Sequence, residues 1–274
     1  MLNAIILAGT HADKTKLIYG QNKAFLEINK QPVIKNVIDS LKKAKSIDRI
    51  AIVGPPELEK IVGQEITIES KARKEARRFI ENVMTPYNLL RKFSQKALFI
   101  TCDLPFISPE TIDDFVSNCK DNADFYFGLI NIENIPKEIE TFKGHFAFHL
   151  KERKGYFRTA NLALFDGSNV SNKKREYMES FVEKAFPIRR TTSPLAYLRL
   201  AWFIAKNYFP EAIKYFIQKN LTEKDIINAL ERKPGISIRL IETKDPKAVM
   251  DIDTEKEYEF IKTKYKRLSN ISCS

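Results

Sequence analysis

Residues 3–10 read Asn-Ala-Ile-Ile-Leu-Ala-Gly-Thr, and residues 22–26 read Asn-Lys-Ala-Phe-Leu. A short apolar run that breaks at a glycine and opens into a polar loop is typical of a buried strand that ends at a ligand-binding loop. In open α/β sheets, ligands collect at the carboxyl ends of strands. Lys16 and Lys23 add positive charge to this loop. We therefore predict a polyphosphate site, and hence a nucleotide site, near the start of the chain.

The apolar pattern continues beyond this loop. A helix with apolar residues at positions 33, 34, 37, 38 and 41 separates the first strand from a second one at residues 49–53. Strand, helix and strand at this spacing indicate a βαβ unit with parallel strands. Another apolar run follows at residues 97–101. The pattern therefore predicts an α/β fold with a mostly parallel central sheet.

The composition of the whole chain limits its partners and its location. The chain has 274 residues and a formal net charge of +11, so its surface attracts anions such as nucleotides, nucleic acid or an anionic membrane. No recognised reader motif accompanies the charge, so we expect no specific nucleic-acid partner. The three cysteines, Cys102, Cys119 and Cys273, lack paired spacing. Neither a signal peptide nor an apolar run of membrane-spanning length is recognised, so a cytoplasmic location is expected.

Aspartates follow two of the predicted strands. Asp103 comes directly after the run at residues 97–101, and Asp251 and Asp253 follow a strand predicted at residues 236–241. A carboxylate at the carboxyl edge of a sheet can hold a hard cation against phosphate oxygens. An aspartate at a strand end can instead cap a turn. Both interpretations of Asp103 stay open at this point.

Two further groups of polar residues are candidates for substrate contacts. A helix is predicted to start near Pro86, and Asn82 and Asn88 flank that start as candidates for base or ribose contact or as plain surface residues. A strand predicted at residues 155–165 carries the candidates for a second substrate. These are Arg158, Thr159 and Asn161.

Residues 173–233 change the character of the chain to helical. A basic connector holds Arg189 and Arg190, and residues 195–219 form a basic amphipathic segment. This segment either packs on the parent domain, which we favour, or makes a peripheral contact with an anionic membrane. We expect residues 1–172 and 234–274 to form the core, with residues 173–233 as a helical insertion that covers the acceptor side.

Three ordered motifs now stand together. They are Leu7-Ala8-Gly9 with Asn22-Lys23-Ala24, then Cys102-Asp103-Leu104-Pro105, then Asp251-Ile252-Asp253-Thr254-Glu255. In this order and spacing the chain resembles the MobA-like nucleotidyltransferases, which include molybdenum cofactor guanylyltransferase and sugar-phosphate nucleotidylyltransferases. The resemblance extends over residues 3–261 apart from the helical stretch, and it is nearest to an uncharacterised bacterial branch. It implies a GT-A-like, Rossmann-like three-layer α/β/α sandwich.

The resemblance also implies roles for individual residues. Lys23 would bind the nucleotide phosphates, Asp103 and Asp253 would hold Mg²⁺, and Asn161 would face the acceptor. The expected catalytic residues are Lys23 and Asp103. The expected nucleotide-binding residues are Leu7, Ala8, Gly9, Thr10, Lys16, Lys23, Asn82, Asn88 and Asp103. The expected acceptor-binding residues are Arg158, Thr159, Asn161, Arg189 and Arg190.

The function that follows is Mg²⁺-dependent transfer of a nucleoside monophosphate from an NTP, with GTP or CTP expected, and with release of pyrophosphate. The acceptor would be a phosphorylated small molecule or a lipid-linked phosphate. Thr10 stands where the family usually has a second glycine, which leaves the base preference open. Two alternatives remain: a glycosyltransferase that uses a nucleotide sugar on the same fold, and a non-catalytic module that binds a nucleotide or a membrane.

Overall fold

The computed structural model describes residues 1–9, 17–62, 67–69, 79–143, 147–176, 222–232 and 235–268. Within them the strands are β1 (Leu2–Leu7), β2 (Glu27–Ile28), β3 (Gln31–Pro32), β4 (Ile47–Val53), β5 (Thr67–Glu69), β6 (Lys96–Thr101), β7 (Phe125–Asn131), β8 (Phe148–His149), β9 (Tyr156–Asp166) and β10 (Ile238–Glu242). The helices are α1 (Val33–Lys43), α2 (Phe79–Leu90), α3 (Pro109–Asn118), α4 (Glu223–Arg232) and α5 (Glu255–Leu268). Residues 172–176 are also helical.

One mixed sheet organises the described residues. Its strand order is β10-β7-β9-β6-β1-β4-β5, and β8 pairs with β9. Strands β5, β4, β1 and β6 are mutually parallel, whereas β9 is antiparallel to both β6 and β7. β1 lies between β4 and β6, so Ile5 pairs with Ala51 on one side and with Phe99 on the other. The predicted mostly parallel sheet is therefore confirmed.

Helices cover both faces of this sheet. On one face, Ile6, Ile52 and Leu98 pack with apolar residues of α1, α3 and α5. On the other face, Ile5 and Ala97 pack with residues of α2 such as Tyr87. Because alternate residues of a strand point to opposite faces, an uninterrupted apolar strand such as β1 needs cover on both. The three-layer α/β/α arrangement is confirmed.

Local signals in the sequence set several helix starts. Ser108 caps α3 through its hydroxyl, which accepts a hydrogen bond from the Thr111 amide, and Pro109 takes the first position. At α4, Thr222 and Asp225 each accept a hydrogen bond from the other's amide. At α5, Thr254 and Glu257 do the same. Such reciprocal pairs are capping boxes, which satisfy backbone amides at the start of a helix.

The prediction that a helix starts near Pro86 was wrong. Helix α2 already begins at Phe79, and Pro86 lies inside it. A proline in a helix interior removes a backbone donor and usually ends or bends the helix. Pro86 is buried, α2 ends four residues later at Leu90, and Met84, Tyr87 and Leu90 pack on the sheet. Tertiary packing therefore outweighs the local preference of proline for a first turn.

The expected helical insertion lies mostly outside the described residues, as do Thr10, Lys16, Arg189, Arg190 and the segment 195–219. Its described end, α4, is held by Arg153, which donates two hydrogen bonds to the carboxylate of Glu223, at 2.8 and 2.9 Å. In the part of the chain that is described, no helix combines the length and apolar character that a membrane crossing requires.

Candidate active site

Three chain segments converge at the carboxyl edge of the sheet. They are the loop after β1, the residues after β6 and the residues before α5. Because β1 and β6 are parallel and Leu7 pairs with Thr101, both strands end at the same edge. The Cys102 amide donates to the Leu7 carbonyl at 3.2 Å, and the Ile252 amide donates to the Asp103 carbonyl at 3.2 Å. Backbone hydrogen bonds therefore bring the three predicted motifs together.

Asn22 connects the two halves of the first motif. Its side-chain amide donates to the Ala8 carbonyl at 2.9 Å, and its side-chain oxygen accepts from the Ala24 amide at 2.8 Å. This oxygen caps the short 3₁₀ turn Lys23–Phe25. Asn22 thereby fixes where the Lys23 side chain starts relative to the end of β1.

The Lys23 ammonium lies between two carboxylates. Its Nζ is 2.9 Å from Oδ2 of Asp103 and 2.5 Å from Oδ1 of Asp253. The side chains of Lys23 and Asp103 are 17% and 9% exposed, whereas that of Asp253 is 63% exposed. Burial alone would lower the pKa of Lys23, but the two carboxylates outweigh it and raise the pKa above its usual value. Lys23 is therefore a fixed positive charge at neutral pH.

Asp103 has one oxygen that the described protein leaves unpaired. Its Oδ1 is buried and has no hydrogen-bond partner among the described residues. A buried carboxylate oxygen without a partner is costly unless a ligand satisfies it. Mg²⁺ prefers oxygen donors and commonly takes one or two carboxylates, with waters and substrate phosphates as its other ligands. The oxygens of Asp103 and Asp253 fit such a cation, although no group of three or more metal-binding side chains occurs within the described ranges.

Asp251 pairs with an arginine of β9. It is buried, and its Oδ1 is 3.2 Å from Nη2 of Arg158. Burial, with the nearby charges of Asp103 and Asp253, raises the pKa of Asp251 to about 7. Arg158 also donates through Nη1 to the Phe142 carbonyl. The guanidinium that the sequence predicts for acceptor binding is thus engaged by the protein itself.

Asn161 and Thr101 present unsatisfied polar atoms side by side. The ladder between β6 and β9 ends with Ile100 opposite Leu162, so Thr101 and Asn161 are the next residues on adjacent strands. Thr101 Oγ1 and Asn161 Nδ2 are buried without a hydrogen-bond partner among the described residues. Thr159, two residues before Asn161, is exposed. Sequence reasoning missed Thr101, because a threonine at a strand end reads as an ordinary strand former.

The remaining predicted residues do not all reach the site. Leu7, Ala8 and Gly9 lie at the end of β1, as expected. Asn88 lies at the other edge of the sheet. Leu90, two residues after Asn88, accepts a hydrogen bond at its carbonyl from the Asn3 side chain at the start of β1. The Asn88 Oδ1 accepts a hydrogen bond from Arg175. Asn82 lies on α2, nearly two turns closer to the carboxyl edge.

Comparison with known proteins agrees with this architecture. Residues 4–128 match the family model of the MobA-like NTP transferase domain. No curated protein sequence gives a significant match to the chain. Among solved structures, a hypothetical transferase from Thermus thermophilus is similar, with a TM-score of 0.67 at 19% identity over 94% of this chain and 100% of that chain.

Two other similar structures carry names that state a reaction. One is a CMP:2-keto-3-deoxy-manno-octonic acid synthetase complexed with CTP, with a TM-score of 0.53 at 12% identity over 97% of this chain and 99% of that chain. The other is a 4-diphosphocytidyl-2C-methyl-D-erythritol synthase from Anaerococcus prevotii, with a TM-score of 0.51 at 12% identity over 97% of this chain and 96% of that chain. At these identities the likeness establishes the fold.

The matched region includes β1, Lys23 and Asp103, that is, the strand and two of the three charged side chains of the site. Residues 4–128 are therefore similar to the MobA-like NTP transferase domain, and the enzyme class that this similarity indicates is nucleotidyltransferase.

Proposed function

We propose that the protein transfers a nucleoside monophosphate from an NTP to a phosphorylated acceptor, with Mg²⁺ as cofactor and pyrophosphate as the second product. The observation that carries the proposal is the Lys23 ammonium between Asp103 and Asp253, beside an oxygen of Asp103 that no described residue pairs with. A fixed cation and two carboxylates at the edge where the first loop ends suit a triphosphate and its metal ion. The names of two similar structures contain a cytidyl nucleotide, which favours CTP, with GTP as the other expectation.

The reaction requires the protein mainly to position the two substrates and to neutralise phosphate charge. A phosphate oxygen of the acceptor attacks the α-phosphorus of the NTP, the new P–O bond forms, and the bond between the α-phosphorus and the bridging oxygen breaks. An ionised acceptor phosphate is already a nucleophile, so the step needs no strong general base. Lys23 supplies a positive charge for the phosphate oxygens, which gain charge as pyrophosphate leaves. A bound Mg²⁺ would be held by Asp103 and Asp253 and would neutralise phosphate charge.

The acceptor side is proposed to lie at Thr101 and Asn161. Thr101 lies two residues before Asp103, and Asn161 lies beside Thr101 on the neighbouring strand. Among the described residues, neither the Thr101 hydroxyl nor the Asn161 amide has a hydrogen-bond partner. A buried amide without a hydrogen-bond acceptor raises the free energy of the protein. A ligand whose oxygen accepts a hydrogen bond from the Asn161 amide would remove this cost, so binding of such a ligand is favoured. Exposed Thr159 lies on the same strand. Arg189 and Arg190 stay predicted acceptor residues outside the described part of the chain.

The first test combines each of the four NTPs with Mg²⁺ and a panel of sugar and polyol phosphates, and it measures pyrophosphate. We expect one pairing to release pyrophosphate and the variants Asp103→Asn and Asp253→Asn to lose about a hundredfold or more in turnover, as for other groups that stabilise developing charge. Each replacement keeps the shape of the side chain and removes its charge.

Asp113→Asn is the matched control for these variants. Asp113 is a carboxylate at the opposite edge of the sheet, where it accepts from the amides of Lys45 and Ser46 at 2.9 Å. The Asp113→Asn variant should therefore release pyrophosphate as fast as the unmodified protein. Undiminished turnover in Asp103→Asn or Asp253→Asn would remove that residue from the site. Release of a nucleoside diphosphate instead of pyrophosphate would favour the glycosyltransferase alternative.

A further inference from the structure

The ion pair between Arg158 and Asp251 joins the sheet to the segment that carries Asp253. Arg158 lies near the start of β9, opposite Ile130 of β7, and Asp251 lies two residues before Asp253. The two side chains are 15% and 11% exposed, so water screens the pair little. This is a long-range contact between a strand and a segment without regular structure, and that segment includes the proposed metal ligand Asp253.

Both partners of the pair are committed to the protein. The Arg158 guanidinium donates through Nη1 to the Phe142 carbonyl and through Nη2 to Asp251. The Lys23 ammonium contacts Asp103 and Asp253 rather than Asp251. The three aspartates do not converge as a metal-ligand group in the part of the chain that the structure describes. Asp251 is therefore placed to hold its segment, while Asp103 and Asp253 face the lysine.

The segment from Asp251 to Asp253 needs such an anchor. Each of its three residues makes a contact that limits its movement. The Asp253 side chain is mostly exposed. The Asp253 amide donates at 2.9 Å to the carboxylate of Glu257, which ties Asp253 to the first turn of α5. On its N-terminal side, the Ile252 amide bonds the Asp103 carbonyl. The Arg158 pair fixes the segment one residue further upstream.

We propose that Arg158 and Asp251 are positioning residues: their ion pair holds the segment 251–253 so that Asp253 meets Lys23 and Asp103. This inference rests on the proposed function, because it gives Asp253 its importance. It assigns Arg158 a different role from the acceptor contact predicted from the sequence.

The test measures how fast the Lys23 amine reacts. Reductive methylation with formaldehyde and a borane, followed by peptide mass spectrometry, reports the labelling rate of Lys23 in the whole protein without nucleotide or metal. Only the neutral amine reacts, so loss of the Asp253 contact speeds labelling. A change of about tenfold corresponds to one unit in the pKa of the lysine. Asp253→Asn sets the reference rate for a lost contact.

Arg158→Gln separates positioning from simple charge. Removing a nearby positive charge would by itself favour the charged form of Lys23 and slow its labelling. Loss of positioning predicts the opposite, a labelling rate that rises about tenfold toward that of Asp253→Asn. Arg158→Gln should then add nothing in the Asp253→Asn background, because both changes remove the same contact. Arg158→Lys keeps the charge and should also speed labelling, since lysine cannot bond Asp251 and Phe142 with one planar fork.

The matched control is Lys174→Gln. Lys174 pairs at 3.1 Å with Asp124, whose side chain is also buried and lies just before β7, at the opposite edge of the sheet. This variant loses a similar ion pair, and its Lys23 should be methylated at the same rate as in the unmodified protein. Circular dichroism of each variant checks that it folds, and Arg158→Lys serves if Arg158→Gln does not.

Slower or unchanged labelling in both Arg158 variants would overturn the inference. A raised KM for the acceptor with unchanged labelling would overturn it in favour of acceptor binding by Arg158. The proposed function fails separately, as an absence of pyrophosphate release, and the labelling result stands in either case.

Discussion

At the scale of single residues, Lys23 is the charge on which the site depends. Lys23→Gln leaves the buried Asp103 carboxylate facing Asp253 without a cation between them. We expect the free energy of unfolding to fall by about 1–3 kcal/mol, the usual cost of a buried acceptor left unpaired. Most of this comes from Asp103, because Asp253 is mostly exposed and solvent screens it.

The effect of Mg²⁺ on stability distinguishes the loss of a cation beside Asp103 from a general loss of packing. In the Lys23→Gln variant, Mg²⁺ should take the place of the ammonium, so thermal unfolding followed with Mg²⁺ and with EDTA should differ more than in the unmodified protein. Mg²⁺ that stabilises both proteins equally would argue against a shared cation position. Asn22→Ala serves as the comparison, because it disturbs the same turn but removes neither the lysine nor either carboxylate.

How far the sequence predicted these residues depends on the range of the contacts involved. Asp103 could be placed at the sheet edge, because it directly follows an apolar run and a strand end is a local signal. The partner of Asp251 could not, since Arg158 lies 93 residues away in the chain and on a strand that runs antiparallel to its neighbours. Nothing local marks Thr101 either, because its place beside Asn161 depends on which strand lies next to β6.

At the scale of elements, strand β9 contains an irregularity that carries Asn161. Phe127 pairs with Ala163 and Leu129 with Thr159, so β9 has two extra residues opposite Gly128. Such bulges redirect side chains and are frequent near functional sites. A Cβ at Gly128 would lie 3.0 Å from Ala160 Cβ and 3.1 Å from the Leu162 carbonyl. The bulge therefore packs closely on residue 128, where a side chain would require its neighbours to shift by a few tenths of an ångström.

Gly128→Ala should accordingly destabilise the protein and disturb the bulge. Overpacking of this kind costs about 1–3 kcal/mol, measurable by urea denaturation. Ala160→Gly in the same chain removes one of the two clashing groups, so the double variant should be more stable than the sum of the single effects. If the changes in unfolding free energy of the two single variants add up to that of the double variant, residues 128 and 160 do not clash in Gly128→Ala.

The elements themselves were largely predictable, and their exceptions have physical causes. The strands β1, β4 and β6 and the capping boxes of α4 and α5 follow from runs of neighbouring residues. Helix α2 does not, because burial of Met84, Tyr87 and Leu90 against the sheet overrides the signal of Pro86. The bulge in β9 depends on a glycine in another strand, which no local pattern could reveal.

At the scale of the whole molecule, the net charge of +11 means that many anions will bind weakly. A specific NTP site must therefore be distinguished from general attraction. A ligand that binds only the folded state stabilises it by about 2.7 kcal/mol at a hundredfold excess over its Kd. For a protein of this size that corresponds to a rise in Tm of roughly 5–10 °C.

We expect at least one NTP with Mg²⁺ to produce a shift of this order, and inorganic tripolyphosphate with Mg²⁺ to produce a clearly smaller one. Tripolyphosphate carries the phosphate charge without the base, so the difference measures recognition of the nucleoside, and the order of the four NTPs gives the base preference. In Asp103→Asn the part of the shift that requires Mg²⁺ should disappear, while the part due to charge alone should persist and fall with added salt. Equal shifts for all four NTPs and tripolyphosphate would reduce the site to a general anion-binding surface, because a nucleotidyltransferase site must contact more of its substrate than the phosphates.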